Sequence, residues 1–326
     1  MVISLDRVAL LVLNYNGGQR LADMVLPGIG TVSREGEMHD VYFIDNASTD
    51  DSCDYVRRRY PWVKVISFKE NLYLYAYNVV CKQLSHRVVY LLNNDIEVDT
   101  RLIDGILPKF SDPDLFAVNA RVLQSDRVTP QGSRTTGGFH RGFWYFTQLD
   151  DISLTSSAFF ALGGQAAFDR QKFLEIGGFD KLFYPLYHED IDLSLTAWRR
   201  GWTVLYDPSV IIVHEGGTTS NKKYKSFAKR RLIARQTFLL QWKHQTTLNE
   251  IMSHFAFLIP RLLRVLLTLD FAYFAGFVDA LIIVTKVFKS RGEMRTLNLM
   301  SATEAFASIV ENIDGRHVTP NRNNAR

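Results

Sequence analysis

An apolar run, Val88 to Leu92, breaks abruptly into Asn93, Asn94 and Asp95. Carboxamide and carboxylate oxygens are the donors a hard divalent cation takes. The same triplet has the composition of a plain turn, since Asn and Asp readily bond their own backbone. Three other places carry comparable chemistry. Val41 to Ile44 ends in Asp45-Asn46-Ala47-Ser48-Thr49-Asp50, where Asp45 can accept a hydrogen bond from the imide of uracil or thymine, or simply fix the loop. His188-Glu189-Asp190-Ile191-Asp192 gathers three acids ahead of an amphipathic run. Carboxylates stabilise a helix N-terminus, and one aimed into a cleft can serve as a general base. Val210 to Val213 delivers His214 beside Glu215-Gly216-Gly217, as a metal ligand or as an ordinary surface histidine.

Such residues need a frame that brings distant loops to one edge. Val8 to Leu13 reads as a buried strand ending in Asn14-Tyr15-Asn16-Gly17-Gly18, after which Leu21, Met24 and Val25 begin a helical period. Strands follow at Val41 to Ile44, Val63 to Phe68 and Val88 to Leu92, with helices through Arg59, over Tyr75 to Leu84 and over Arg101 to Phe110. This alternation predicts an α/β protein with a mostly parallel, doubly wound sheet. Ligands sit at the carboxyl tips of such strands, so Asn14, Asp45 and Asp95 would share an edge suited to a nucleotide. No G-x-G-x-x-G or G-x-x-x-x-G-K-[ST] occurs, which disfavours the familiar dinucleotide and phosphate loops.

From Gln124 to Asp151 the periodicity gives way to Gly, Ser, Thr and aromatic residues. A loop this long usually has a function. Its Phe143-Trp144-Tyr145-Phe146 would stack on sugar rings or lipid, or else form the core of a small subdomain. Ser157 to Phe168 reads as an apolar strand containing Gly163-Gly164, and glycines inside a strand permit close approach by a ligand.

At 326 residues the chain exceeds one ordinary compact domain. With 38 basic against 34 acidic residues, a net charge of +4 argues against general nucleic-acid affinity. Cys53 and Cys81 form neither a metal spacing nor a disulfide framework, in keeping with a reducing compartment. The N-terminal MVISLDRVALLVLNYN has an acid and a base just before its apolar run, and is read as a first strand rather than a signal peptide.

After about Thr218 the character changes. Asn221-Lys222-Lys223-Tyr224-Lys225 and Lys229-Arg230-Arg231 are basic, and Ile251 to Phe288 is strongly apolar. Asp270 and Asp279 interrupt that segment, and acids at mid-depth in a bilayer are expensive. Wound as one helix, it aligns Arg261, Arg264, Thr268, Ala272, Ala275, Asp279 and Lys286 in a polar stripe, with Asp270 off it. A broad apolar face with a narrow polar stripe suits a helix lying in the membrane interface, and the basic run would favour anionic lipid. Packing on the catalytic domain or in a dimer is the alternative. The polar tail from Asp314 is expected to be disordered. The expected division is therefore 1–217 nucleotide-binding and catalytic, 218–313 helical and membrane-associating, and 314–326 tail.

In order, VLNYN, IDNASTDDS, LLNND, GGQAAFDRQKFLEIGGFD, HEDIDLSLTAWRRG and VHEGG resemble the motifs of inverting family 2 glycosyltransferases of the GT-A fold, particularly the bacterial rhamnosyltransferase-like branch. The resemblance covers roughly residues 8–217. It implies a GT-A (Rossmann-like) mixed, mostly parallel sheet flanked by helices. It also implies that Asp45 reads the pyrimidine base, and that Asn93 to Asp95 is a DxD-like motif whose last acid binds Mg2+ or Mn2+ at the donor diphosphate. Asn93 and His214 would join the metal shell. Asp190, second acid of the Glu189-Asp190 pair, would deprotonate the acceptor hydroxyl. Asn14, Asn16, Asn71, Asn78 and Asn94 would line the nucleotide or donor, and Gly163-Gly164 would let the chain approach the donor sugar or acceptor.

The activity so implied is metal-dependent transfer of a sugar, with dTDP-L-rhamnose the leading donor, to a lipid-linked or polysaccharide acceptor of the O-antigen kind at the cytoplasmic face of a bacterial membrane. The rivals are a UDP-hexose or UDP-N-acetylhexosamine transferase and a non-catalytic sugar-nucleotide-binding scaffold subunit. The oligomeric state stays open. Two departures matter. Asn93 occupies the first position of DxD, and Asn71-Leu72-Tyr73-Leu74-Tyr75-Ala76-Tyr77-Asn78 places tyrosines where relatives carry a glycine-rich N-x-G-F-x-x-x-N segment, so Tyr73 would reshape the donor pocket.

Overall fold

The computed structural model describes residues 8–32, 39–149, 153–215, 226–297 and 299–313. The run Asn221 to Lys225, Gly216-Gly217 and the tail from Asp314 lie outside the described residues. Short aliphatic runs form strands covered on both faces. β1 (Val8–Asn14), β2 (Asp40–Asp45), β3 (Lys64–Ser67) and β4 (Val88–Asn93) lie parallel in the order β3-β2-β1-β4. They are joined through α1 (Gly18–Val32), α2 (Ser52–Arg59) and α3 (Tyr75–Gln83). Beyond β4 the sheet continues through β10 (Gln165–Asp169), β6 (Leu115–Gln124), β11 (Thr203–His214) and β5 (Ile96–Val98). β10 runs antiparallel to β4 and β6, β11 runs parallel to β6, and β5 and the short β9 (Ser156–Ser157) pair antiparallel with β11. The sheet is mixed and mostly parallel, as the alternation of elements predicts.

Successive side chains of a strand face opposite ways, and the two faces bury separate cores. Leu10, Val12, Tyr90 and Leu92 pack with Val25 and Ile29 of α1 on one side. Ala9, Leu11 and Leu91 face Phe116, Phe168, Trp198 and Tyr206 on the other. That second core also takes in Phe238, Leu258, Ala280 and Phe306, so one apolar cluster runs across the expected boundary at residue 217.

Three expectations are corrected. Residues 124–151 are not an unstructured loop: β7 (Thr135–His140) and β8 (Phe143–Gln148) form an antiparallel hairpin. Phe143 and Trp144 are buried, with Trp144 stacked on Phe306 at 4.6 Å, while Tyr145 and Phe146 are exposed. The strand carries no inward–outward alternation, because both faces are covered at Phe143-Trp144 and both are open at Tyr145-Phe146, so the pattern that marks a strand is missing. The strand expected over Ser157 to Phe168 is broken, and Gly163-Gly164 lie in the turn before β10.

The apolar stretch Ile251 to Phe288 is not one helix either. α7 (Ser226–His244) is followed by α8 (Leu248–Leu267), α9 (Phe271–Ile282) and α10 (Val284–Met294). Leu269 adopts φ +54°, and Asp270 caps α9 by accepting from the Tyr273 N–H, so the chain turns there. Asp270 pairs with Arg230 at 2.6 Å and Asp279 with Arg231 at 2.6 Å. Both acids are answered by α7, and the single polar stripe dissolves. No single described helix is long and apolar enough to cross a membrane, although α9 and the helical run after it pass that test together, bent by 61°.

Burial of charge ties these helices to the sheet domain. Lys243 of α7, with its side chain 4% exposed, donates to Asp180 at 2.7 Å and to Asp192 at 2.8 Å. Asp192 belongs to α6 (Glu189–Arg199). Arg199 can only donate, so its 3.2 Å contact makes His244 Nδ1 the acceptor and leaves Nε2–H to donate to Asp192 at 2.8 Å. Burial pushes the His244 pKa down to about 4, in keeping with that neutral tautomer. Removing the cation would strand the buried Asp192 carboxylate and take a partner from the partly buried Asp180. Lys243→Met is expected to lose about 3–5 kcal/mol of stability, read by urea denaturation at neutral pH, and a loss under about 1 kcal/mol would show the cluster to be dispensable.

Candidate active site

The carboxyl tips of β1, β2 and β4 meet at one edge. Asn14 is the stitch between them: its Oδ1 accepts from Asn94 Nδ2 at 2.6 Å, and its Nδ2 donates to Ser48 Oγ at 3.1 Å and Ser52 Oγ at 3.0 Å. The Asn14 side chain and the Asn94 amide are thus spent on holding loops together. Asp45 accepts from the Ser48 N–H at 3.1 Å, and Asn16 accepts from the Thr49 N–H at 2.7 Å. Asn46, adjoining Asp45 but not singled out from the sequence, accepts from the Leu72 N–H at 2.9 Å and donates to the Tyr73 carbonyl at 3.1 Å. Asn71 accepts from the Tyr73 N–H at 2.8 Å, and Tyr73 sits at φ +54°. The tyrosine-rich turn is therefore fastened beside Asp45. Asn78 is committed elsewhere, since both atoms of its amide bond the backbone of Phe179, at 2.8 and 2.9 Å.

Asp95 follows β4, and His214 ends β11. Asp95 Oδ1 lies 3.1 Å from His214 Nε2, both side chains nearly buried. On the other side of the ring, His214 Nδ1 is 2.8 Å from Gln131 Oε1. An amide oxygen only accepts, so Nδ1 carries a proton and Nε2 is turned to the carboxylate. A lone pair facing a carboxylate needs a proton or a cation between them, and an oxygen–nitrogen pair suits a divalent ion. Among the described residues no third His, Cys, Asp or Glu completes a cage, so a divalent cation held here would take its remaining ligands from a bound group or from water. Gln131 went unnoticed in the sequence because nothing local marks it.

Gly163-Gly164 link this corner to the acids of α6. A Cβ on Gly164 would lie 2.1 Å from Asn93 Oδ1, and one on Gly163 would lie 2.7 Å from Leu74 Cδ1 and 3.4 Å from Asp190 Cβ. Their missing side chains make room for Asn93 and Leu74, and the turn they form lies in van der Waals reach of Asp190. The Asp190 carboxylate accepts from the Ile191 N–H at 2.9 Å. Ser194 donates to the Asp190 carbonyl at 2.8 Å and accepts from the Ala161 N–H at 2.9 Å.

Tyr187 and His188 enter α6 at φ +75° and +71°, two successive non-glycine residues in the left-handed region. Each such residue costs of order 1–3 kcal/mol, and the turn delivers Glu189 and Asp190 inward. Burial, helped by the neighbouring Asp190, pushes Glu189 well above the usual carboxyl range, and its Oε2 has no partner among the described residues. Burial also raises Asp190, to about 6, against the Ile191 and Gly163 N–H groups that favour its anion. At neutral pH these shifts leave Glu189 protonated and Asp190 a carboxylate. His188 is pushed down to about 4 by burial and stays neutral, its ring edge-on to Phe146.

The profile described as Glycosyl transferase family 2 matches residues 11–177, just over half of the chain. The chain belongs to glycosyl transferase family 2. An N-acetylglucosaminyl-diphospho-decaprenol L-rhamnosyltransferase of Mycobacterium tuberculosis is 28% identical over 209 residues, covering 53% of this chain and 66% of that protein, just under two-thirds of its length. A mannosyltransferase, PcManGT of Pyrobaculum calidifontis, in complex with GDP-Man and Mn2+, superposes with a TM-score of 0.52 at 17% identity, over 94% of this chain and 86% of that one. S. aureus TarS in complex with UDP-GlcNAc gives 0.57 at 14%, over 96% and 93%. Likenesses at such low identity show the fold, and it is of the GT-A kind. In this family 2 protein Gly164→Ala is expected to displace Asn93 and cost about 1–3 kcal/mol, measurable as a lowered thermal midpoint. An unchanged midpoint would mean that the turn is not tightly packed.

Proposed function

We propose that the protein is an inverting, divalent-metal-dependent glycosyltransferase that moves a sugar from a pyrimidine nucleoside diphosphate to a lipid-linked or polysaccharide acceptor. The observation carrying this reading is the contact of the Gly163-Gly164 turn with both Asn93 and Asp190, which sets a free base beside the tip where Asp95 and His214 meet. Asp190 takes the proton of the acceptor hydroxyl. The oxygen then bonds the anomeric carbon as the bond to the diphosphate oxygen breaks on the opposite face. Asp95 and His214 would hold Mg2+ or Mn2+, which offsets the charge developing on the departing diphosphate. Asp45 would accept the imide N–H of the base, and both uracil and thymine offer that edge.

The mycobacterial relative supports L-rhamnose, carried as dTDP-L-rhamnose, as the leading sugar, and its named substrate supports an acceptor linked to a polyprenyl diphosphate. Tyr73 keeps UDP-hexose or UDP-N-acetylhexosamine as the rival donors. The free base at Asp190 speaks against a purely scaffolding subunit.

Residues 218–313 serve, in this reading, as the membrane-associating part, placing the enzyme on the cytoplasmic face of a bacterial membrane. Leu248, Met252, Phe255, Ile259, Leu263 and Leu266 line up along α8 at spacings of three and four, each 47 to 73% exposed. An apolar ridge of this length suits the bilayer interface. The same spacing also suits pairing with a second copy, which is the second reading.

The deciding experiment is a panel of dTDP- and UDP-sugars with Mg2+ or Mn2+, comparing the parent with Asp190→Asn. The parent should turn over one donor, and the variant should lose about 10²–10⁴-fold in transfer. Binding of donors without any turnover would favour the scaffold. Because Asp190 works as its anion, kcat/KM should fall about tenfold per pH unit below its pKa of about 6 and level off above it. A flat acid limb would remove Asp190 from the role of base.

A further inference from the structure

A cavity of about 620 Å3 opens between the tip of the β7–β8 hairpin and the last turns of α8, and Arg141, Arg261 and Arg264 line it with Phe143, Phe257 and Tyr273. Among the described residues none of these three arginines makes an ion pair, whereas the one acid in the wall, Asp270, is engaged by Arg230 and by the Tyr273 N–H. The Arg261 guanidinium lies 4.2 Å from the centroid of the Phe143 ring and 5.4 Å from that of Tyr273. Ring faces orient a guanidinium without using its N–H donors. The buried Tyr273 hydroxyl has no acceptor for its proton among the described residues.

The hairpin tip is fixed. Gly142 adopts φ +75°, where a Cβ would lie 2.5 Å from the Ser253 carbonyl oxygen, and its own carbonyl accepts from Gln245 at 3.0 Å and from His254 Nδ1 at 2.8 Å. Arg141 is therefore held over the cavity rather than carried on a free loop. Several unspent guanidinium forks and a hydroxyl around one cavity are a receptor for a phosphate group.

The surroundings identify its source. Leu263, Leu266 and Leu267 at the end of α8, then Leu269 and Phe271, stand exposed around the arginines. A phosphate bordered by hydrocarbon is the chemistry of a bilayer surface. We propose that Arg141, Arg261 and Arg264 clamp the headgroup phosphate of an anionic membrane phospholipid while the ridge from Leu263 to Phe271 enters the acyl region. The clamp rests on the membrane reading above and gives that surface its lipid preference.

Flotation of the full chain with vesicles of phosphatidylcholine, or of phosphatidylcholine mixed with phosphatidylglycerol, tests it. Arg141→Gln/Arg264→Gln should bind the mixed vesicles more weakly by about fivefold per arginine, about 25-fold in all at low salt. Its binding to phosphatidylcholine and its donor hydrolysis without vesicles should match the parent. Leu263→Ser/Leu267→Ser should weaken binding to both vesicles. An undiminished preference for phosphatidylglycerol in the arginine variant overturns the clamp and leaves membrane association standing. A parent that floats with neither vesicle overturns both. Arginine-dependent binding of inorganic phosphate by a parent that does not float would assign the site to a free phosphate and overturn the lipid.

Discussion

Lys243 carries a full positive charge into the interior, and the carboxylates of Asp180 and Asp192 are what make that tolerable. Desolvating an ammonium group alone costs several kcal/mol, so the three groups must stay together. They come from three elements: the turn after Gly177-Gly178, the helix α6 that carries Glu189 and Asp190, and α7. His244 and Arg199 extend the cluster, and Arg199 also donates to the Met300 carbonyl at 2.8 Å. The C-terminal helices are thus tied to α6 through buried charge. Asp192 is locked two residues from Asp190, which fixes the rotation of α6 about its own axis.

That lock bears on the strained entry to α6. Two left-handed residues in succession persist only where the surroundings over-determine them, and here the helix below is pinned by the buried charges and the turn beside it by Ser194. The outcome is a carboxylate whose desolvation raises its pKa toward neutrality without extinguishing its charge. Glu189, deeper and next to another acid, is driven further and keeps its proton. Two adjacent carboxyls thereby acquire different states from environment alone.

The outward face follows from the same separation of charge. Asp270 and Asp279 would spoil an apolar surface, but Arg230 and Arg231 of α7 draw them to the protein side of α9. The large apolar side chains of α8 are left on the outside, and Arg141, Arg261 and Arg264 gather at one end of the ridge, beside the hairpin tip.

Much of the frame was readable from local pattern, because burial on both faces demands short continuous apolar runs and leaves polar residues at their tips. β1, β2, β3 and β4 were placed to within a residue or two, and the acid-rich start of α6 was evident as well. The hairpin escaped notice because aromatics fill both its faces, and the break at Leu269 because a capping Asp resembles an isolated charge until the chain turns. Partnerships were the least readable part. Asn78 meets Phe179 across 101 residues and Gln131 meets His214 across 83, so their roles as clamp and ring-orienter carry no local mark. The sequence by itself determined which residues were capable of chemistry and which strands had to carry them, since side-chain type and period are local properties. Only the tertiary structure decided that Asn14 and Asn94 are spent on each other, that two glycines make room for Asn93 and Leu74, and that burial raises the Asp190 carboxyl, because hydrogen-bond partners, close approach and desolvation depend on what the folded chain brings alongside.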